Sequence, residues 1–134
     1  LGIGLVPFSP LGRGLLGGAG SGPGALPQHD LRRIMPRFEE ANLRRNLGLL
    51  GALRALADDL GATPAQLALG WLLHRGPNVV PIPGTSDPGR LEENAAAAAL
   101  TLDAATLARI EAAVPASAVA GRRYPAALEA LVDR

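Results

Sequence analysis

The sequence contains no cysteine and no lysine, and each absence excludes a class of chemistry. Without cysteine there is no disulfide framework and no thiolate metal site. All 13 basic residues are arginine, so mechanisms that need a lysine amine are excluded as well. With one tyrosine, Tyr124, and two histidines, His29 and His74, acid–base chemistry has few candidates.

A strong net charge and long apolar runs are also absent. The 13 basic and 12 acidic residues nearly balance, so the charge predicts no binding of nucleic acid or of an anionic membrane surface. No apolar run approaches the roughly 20 residues of a membrane-spanning helix. Apolar residues make up 48% of the chain and charged residues 19%, which is typical of a folded domain. We therefore expect a soluble, cytoplasmic protein without a metal site.

Two short apolar segments predict strands buried on both faces, as in a parallel sheet. They are Ile3–Phe8 and Val79–Pro83, each bounded by turn residues. Between them, leucines at helical spacing over Leu49–Leu60 predict a helix that Gly61 ends. A second helix is predicted over 63–74, because Thr63-Pro64-Ala65-Gln66 has the pattern of a capping box.

The rest of the chain is predicted to be helical in shorter pieces. Asp87 or Ser86 caps a helix that ends near Ala98, and Asp103 caps another that reaches Val114. The tail that follows has room for one short helix. Strand, helices, strand and helices in this order indicate an α/β fold with parallel strands.

Two strands cannot complete a sheet, because both would keep open edges. The chain also starts at Leu1, without a methionine, inside a predicted strand. We therefore expect further strands elsewhere, a chain that is a fragment, and self-association through the open edges.

Three glycines, Gly12, Gly14 and Gly17, have the spacing G-x-G-x-x-G. A Rossmann fingerprint needs a helix that opens at the third glycine. The residues that follow, GAGSGPGALP, predict none, which disfavours that interpretation. A plain loop over Gly12–Pro27 and another kind of phosphate-holding loop remain open.

Other candidate catalytic groups are weak. Adjacent carboxylates such as Asp58 and Asp59 point about 100° apart on a helix and cannot form a dyad. A triad of Ser9, His74 and an aspartate has no nucleophile-elbow motif to support it. We expect His74, near a helix end, to be a C-terminal cation or a hydrogen-bonding residue.

Four stretches in the same order resemble the C-terminal part of an aldo-keto reductase. They are GLVPFSPLGRGLLGG, LRRIMPRFEEANLRRNL, LADDLGATPAQLALGWLLHRG and VVPIPGTSDPGRLEENAAAA. The resemblance implies a (β/α)8 barrel, with Ile3–Phe8 as its seventh strand and Val79–Ile82 as its eighth. It divides the chain into a cofactor-binding part of the barrel, residues 1–114, and a tail, residues 115–134, in which GRRYPAAL matches more loosely.

The resemblance also implies an NADP(H) cofactor and a small carbonyl substrate. In such barrels the loops after strands seven and eight commonly form a phosphate site. In the first loop, Phe8 matches the aromatic ring that stacks on nicotinamide, and its alternative role is in the core. Ser9, Leu11 and Gly12 match positions that approach the pyrophosphate, and Arg13 adds charge nearby.

In the second loop, Gly84, Thr85 and Ser86 match residues at the adenosine phosphate. Many relatives have lysine or arginine where this chain has Ser86, yet NADP remains preferred over NAD. The family pattern Arg-x-x-Glu-Asn continues into the helix, where its members share one face. They are Arg90 for the 2′-phosphate, Glu93, and Asn94 for adenine; the alternative for Arg90 and Glu93 is an exposed ion pair.

The family's catalytic tyrosine, lysine, aspartate and histidine match no residue of this chain. Tyr124 lies in the tail, where the family has no catalytic residue, and we expect it to pack or to lie at the surface. Two functions remain open. The chain is the cofactor-binding segment of an oxidoreductase that reduces aldehydes or ketones, or it is a non-catalytic remnant or binding module that needs a partner half-barrel.

Overall fold

Helices account for most of the regular structure in the computed structural model, which describes residues 2–18 and 26–132. The predicted loop over Gly12–Pro27 falls partly on residues 19–25, which lie outside the described residues. The five α-helices in the described part are α1 (Glu40–Asp59), α2 (Pro64–Leu73), α3 (Pro88–Ala96), α4 (Ala104–Ala113) and α5 (Ala126–Glu129). Short 3-10 helices span Leu31–Ile34, Pro36–Phe38, Ala97–Ala99 and Ala116–Ala118.

The predicted N-terminal caps are confirmed at three helices. Thr63 Oγ1 accepts from the backbone N–H of Gln66 at 3.2 Å, and Gln66 Oε1 accepts from the N–H of Thr63 at 2.9 Å. These two bonds complete the capping box of α2. At α3 the cap is Asp87 and not Ser86, and Asp103 caps α4. Local side-chain chemistry therefore determines where these helices begin.

Helix α1 begins at Glu40, well before the predicted start near Leu49. Leu43 is fully buried and extends the apolar face toward the N-terminus. The pattern is hidden in the sequence because Asn46 occupies a buried position, with 3% of its surface exposed. Its side chain is satisfied by hydrogen bonds, which is why a polar residue is tolerated there.

Two apolar clusters form the core. The larger joins α1, α2, α4 and the segment that precedes α4, and the smaller joins the start of α1 to the turn after Gly14 and to the 3-10 segments. Within the described residues, no helix has the length and apolarity to cross a membrane. The larger cluster consists of Leu53, Leu56, Ala57, Leu67, Leu102 and Ile110, and the smaller of Leu15, Met35, Phe38 and Leu43.

The two predicted strands lie side by side and run parallel. The N–H of Leu5 donates to the carbonyl of Asn78 at 2.8 Å, and the N–H of Val80 donates to the carbonyl of Leu5 at 2.9 Å. Farther along, the N–H of Ile82 donates to the carbonyl of Pro7 at 3.2 Å. We call residues 3–8 and 79–82 the paired segments.

The pairing is shorter than predicted, and the prediction of strands over Ile3–Phe8 and Val79–Pro83 is wrong in this structure. Over residues 2–18 and 26–132, the pairing consists of two isolated parallel bridges, Leu5 with Val79 and Phe8 with Ile82. Pro7 and Pro81 lack the N–H groups that would continue a ladder on either side.

The prediction that these segments are buried on both faces is also wrong for most of their side chains. Phe8 is 51% exposed and Ile82 is 52% exposed, whereas Val79 is 8% exposed. The described residues provide no third strand to cover the open edges and faces. The exposed apolar side chains are Ile3, Leu5, Val6, Phe8, Val80 and Ile82.

Candidate cofactor-binding site

A cleft of about 340 Å³ lies between the turn that follows Phe8 and helix α3. The two predicted phosphate-holding loops, which are about 70 residues apart in sequence, both contribute to its wall. The bridge between Phe8 and Ile82 brings the starts of the two loops together. Helix α3, which follows the second loop, packs against α2, with Gln66 Nε2 donating to the carbonyl of Glu93 at 3.2 Å. The predicted residues that line this cleft are Ser9, Leu11, Arg13, Gly84, Thr85, Arg90, Glu93 and Asn94.

The first loop has an unusual backbone. Ser9 has φ 48°, Gly12 φ 59°, Arg13 φ 58° and Gly14 φ 87°, all in the left-handed region. For Ser9 and Arg13 this conformation is strained, and such strain is concentrated at functional sites. Two turn bonds hold the loop, from the N–H of Gly12 to the carbonyl of Ser9 at 3.0 Å and from the N–H of Gly14 to the carbonyl of Leu11 at 3.1 Å.

In these two turns, the N–H groups of Gly12 and Gly14 are donors to the protein backbone. Within residues 2–18 and 26–132, the N–H groups of Leu11 and Arg13 have no protein acceptor. The same holds, within those residues, for the N–H groups of Gly84 and Thr85 in the second loop. Successive amides in such turns form concave sites that favour anions, and an unpaired N–H donor favours an acceptor ligand.

Helix α3 supplies the charged part of the cleft. Arg90, Glu93 and Asn94 share a face, as their spacing predicts, and all three line the cleft. No ion pair joins Arg90 to Glu93 among the described side chains, so the alternative of an exposed ion pair is not what the structure has. Asp87 Oδ1 accepts from the backbone N–H of Arg90 at 3.2 Å, which caps the helix at the edge of the cleft.

Three predicted site residues lie elsewhere. Ser86 is exposed and does not line the cleft, because the chain turns there into the Asp87 cap. Phe8 and Gly12 line a second cleft of about 240 Å³. The two clefts share Ser9, Pro10 and Arg13, so they adjoin along this loop.

One face of the Phe8 ring is covered by a residue that sequence reasoning missed. The guanidinium carbon of Arg123 lies 4.6 Å from the ring centroid, and Arg123 Nη2 donates to the carbonyl of Phe8 at 3.4 Å. Arg37 also lines the second cleft. The only sequence signal for these two arginines is the loosely matching tail and the MPRF stretch, neither of which indicates a contact with Phe8.

Tyr124 packs against the smaller core cluster, which confirms the expectation of a packing role. The guanidinium carbon of Arg13 lies 5.0 Å from its ring centroid. This cation–π contact joins Arg13 of the first loop to Tyr124 of the tail. Tyr124 is therefore a support of the loop in the described structure.

His74 has a structural role between α2 and the segment before α4. Its Nδ1 bonds the carbonyl of Gly70 at 2.8 Å, and its Nε2 accepts from the N–H of Leu102 at 3.2 Å. These partners assign the ring proton to Nδ1 in a neutral imidazole. Since both nitrogens are used, the hydrogen-bonding expectation is confirmed and a triad with Ser9 is not formed.

The ion pair between Asp30 and Arg32 contacts the first loop. Arg32 donates to Asp30 through Nη2 at 2.7 Å and through Nε, and its backbone N–H also donates to Asp30. These hydrogen bonds lower the pKa of Asp30 to about 2. Arg32 Nη1 also makes a long contact of 3.5 Å with the carbonyl of Arg13, one of the strained loop residues.

Comparison with known proteins identifies the family of this chain. The model of the aldo/keto reductase family matches residues 1–115. "Probable aldo-keto reductase 1" of Glycine max is 46% identical over 124 residues, which is 92% of this chain and 36% of the relative. "Aldo-keto reductase yakc [NADP(+)]" of Schizosaccharomyces pombe is 42% identical over 123 residues, with the same shares covered.

The chain belongs to the aldo/keto reductase family, which confirms the resemblance of the four stretches. It spans about 36% of the length of these two relatives. The family implies a (β/α)8 barrel. In the described residues, the pairing between extended segments consists of the two isolated bridges of the paired segments.

Proposed function

We propose that this chain is the NADP(H)-binding segment of an oxidoreductase that reduces aldehydes or ketones to alcohols. The observation that carries the proposal is the convergence of two distant loops on one cleft that offers unpaired amides and the Arg90 guanidinium. A dinucleotide phosphate needs such donors and positive charge. The printed name of the Schizosaccharomyces pombe relative, which includes NADP(+), supports the same cofactor.

Each part of the cleft fits one part of the cofactor. The free amides of Leu11 and Arg13 and the hydroxyl of Ser9 suit the pyrophosphate, because they are donors on a concave wall. Arg90 suits the ribose 2′-phosphate, and Asn94, one turn farther along α3, suits the adenine amino group. Gly84, Thr85 and Glu93 complete the wall on that side.

The nicotinamide ring fits the open face of Phe8. Arg123 covers one face of this ring, and the side chain is still 51% exposed. Phenylalanine is sufficient for this role, because stacking needs a flat π face and no hydroxyl. When bound, the reduced nicotinamide supplies the hydride for the carbonyl carbon.

We place the paired segments as the seventh and eighth strands of the barrel, residues 1–114 as its cofactor-binding part and residues 115–134 as its tail. The exposed apolar side chains of the paired segments support this placement, because neighbouring strands and the packed interior of a barrel cover such faces. This chain supplies no lysine, and its tyrosine is occupied in packing. Protonation of the alkoxide therefore depends on residues outside this chain.

The test compares two cofactors that differ only in the 2′-phosphate. In a complete protein that carries this segment, Arg90→Ala should lower the NADPH:NADH affinity ratio about ten- to a hundredfold, because it removes a charge-assisted contact that NADH never makes. Phe8→Ala should weaken both cofactors alike. Fluorescence titration with each cofactor at fixed salt measures both effects.

Arg109→Ala is the matched control. Arg109 is also an exposed arginine on a helix, but it pairs with Asp59 and lines none of the clefts described above. Its substitution should leave the affinity ratio unchanged. An unchanged ratio for Arg90→Ala as well would contradict the assignment of Arg90 to the 2′-phosphate.

A further inference from the structure

The Phe8 ring has a cation on one of its two faces. The guanidinium carbon of Arg123 lies 4.6 Å from the ring centroid, and Arg123 Nη2 donates to the carbonyl of Phe8 at 3.4 Å. The negative potential of an aromatic face attracts a guanidinium group in this position. The proposed function places the nicotinamide on the opposite face, so the charge of Arg123 lies behind the ring that the cofactor contacts.

The tail that carries Arg123 is fixed in place by a buried amide. Asn46 Nδ2 donates to the carbonyl of Ala120 at 3.0 Å, and Asn46 Oδ1 accepts from the N–H of Ala120 at 2.8 Å. Asn46 Nδ2 also donates to the carbonyl of Arg37 at 3.2 Å, so one side chain holds both segments. Asn46 is 3% exposed, and its bonds therefore have little competition from water.

A glycine allows the tail to approach closely. Gly121 has φ 83°, and a Cβ atom there would lie 2.7 Å from the carbonyl oxygen of Pro36. Arg37 Nε donates to the carbonyl of Gly121 at 3.4 Å. Two residues farther along, Arg123 reaches Phe8. The contacts of residues 120–121 thus hold the Arg123 guanidinium close to the Phe8 ring.

The positive charge beside Phe8 is poorly compensated. Arg13, Arg37 and Arg123 line the second cleft together with Phe8. Among the described side chains, none of these three arginines forms an ion pair with a carboxylate. Burial and the charges of Arg123 and Arg13 lower the pKa of Arg37, and the charge of Glu129 opposes the effect. The surroundings of the Phe8 ring therefore have a positive potential.

The two redox forms of the cofactor differ in charge at the nicotinamide. The oxidised ring is a cation and the reduced ring is neutral, whereas the rest of the molecule is the same. A ring stacked on the other face of Phe8 lies about 8–9 Å from the Arg123 guanidinium. Since Arg123 is exposed, water screens the repulsion, and we expect it to weaken binding of the oxidised form about two- to tenfold at low salt.

We propose that Arg123 makes this site select NADPH over NADP+, by placing a positive charge behind the ring on which the nicotinamide stacks. This inference rests on the proposed function, because it uses Phe8 as the site of the nicotinamide. Arg123 acts through Phe8 and is therefore a specificity-determining residue without a contact to the cofactor. Weaker binding of NADP+ lowers inhibition by the oxidised product.

The experiment uses the complete protein that carries this segment and measures the Kd of NADPH and of NADP+ by calorimetric titration at low salt. Arg123→Met, which removes the charge and keeps an unbranched apolar chain, should lower the NADP+:NADPH ratio of Kd values about two- to tenfold. The potential of the bound couple should fall by about 10–30 mV, since a tenfold change is 29.6 mV for two electrons. Arg123→Lys, which keeps the charge, should retain most of the original ratio.

Arg122→Met is the matched control. Arg122 is the exposed neighbour of Arg123 and lines neither of the two clefts, so its loss should leave the ratio unchanged. Salt at 0.5 M should shrink the difference between Arg123→Met and the original protein, because it screens exposed charges. An equal fall of the ratio in Arg122→Met would assign the effect to the overall charge of the tail and overturn the inference.

The same titrations separate a structural role of Arg123 from a role of its charge. If Arg123 only supports the Phe8 ring, Arg123→Met weakens both forms equally, and an unchanged ratio overturns the selection. That result in a protein that reduces aldehydes overturns this inference alone. A lowered ratio in a protein that binds both forms but reduces no aldehyde or ketone supports the inference, and the proposed reaction fails alone. Binding of neither form would overturn the proposed function and this inference with it.

Discussion

Helices α1, α2 and α4, which we call the helical layer, bury their large apolar side chains, whereas the paired segments leave most of theirs exposed. Leu67 of α2 is fully buried between helices, whereas Ile82 is 52% exposed on the second paired segment. Helices α1, α2 and α4 find their apolar partners within the described chain. The paired segments have one short row of parallel bonds and few partners for their side chains.

This difference follows from what helices and parallel strands need in order to bury their side chains. The helices satisfy their own backbone groups and bury a single face, so neighbouring helices suffice. A parallel strand needs partners on both edges and cover on both faces. We propose that the paired segments carry apolar side chains for the remaining strands of the barrel, and the two regions should therefore respond differently to truncation of a side chain.

Truncation in the helical layer should have the largest effect. Leu67→Ala removes a fully buried side chain from the larger core cluster and should lower the free energy of unfolding by about 2–5 kcal/mol. Ile82→Ala, at a half-exposed position, should cost less than about 1 kcal/mol in this chain. Urea unfolding of the 134-residue chain, at concentrations low enough to keep it monomeric, measures both free energies. Equal losses would contradict the contrast between the two regions.

A substitution at Gly121, where the tail contacts Pro36, should have an intermediate effect on stability. Gly121→Ala places a methyl group against Pro36 in a left-handed conformation and should cost about 1–3 kcal/mol. Gly51→Ala is the control, because Gly51 lies in α1 with no atom within 4 Å of an added Cβ. It should stabilise the chain by about 0.5–1 kcal/mol. Thermal unfolding measures both, and a Gly121→Ala variant as stable as the original chain or more stable would show that Gly121 is not a close contact.

Acid should produce the smallest effect. Since folding lowers the pKa of Asp30 from 3.8 to about 2, its contribution is complete above about pH 4 and is lost as the pH falls toward 2. Asp30→Asn should make the loss of stability over this range shallower. Urea unfolding at several pH values between 4.5 and 2.5 measures the slope. An identical dependence of the free energy of unfolding on pH in the variant would mean that the Asp30–Arg32 pair does not stabilise the folded chain.

Local features of the sequence were sufficient for the helix caps and for much of the candidate site. Thr63, Asp87 and Asp103 cap helices through residues three positions away, and Arg90, Glu93 and Asn94 share a face because of helical periodicity.

Long-range features were not predictable in the same way. Arg123 contacts Phe8 across a separation of 115 residues. Asn46 and Gly121 hold the tail nearby through contacts with residues distant in sequence, and no local sequence pattern indicates those contacts. The expectation of fully buried strands failed because burial depends on which segments pack against a strand, and an apolar run does not specify those neighbours. The start of α1 was missed because Asn46 interrupts the apolar pattern.

Amide hydrogen exchange tests most directly whether the two loops bind the cofactor together. The amides of Leu11, Arg13 and Thr85 have no acceptor within the described part of the chain. In a complete protein that carries this segment, they should exchange fast without NADPH and slowly with it. Amides within α4, which are already hydrogen-bonded in the helix, should change little. Protection of both loops at saturating NADPH is the predicted result, and protection of only one loop, or of neither, would contradict the account.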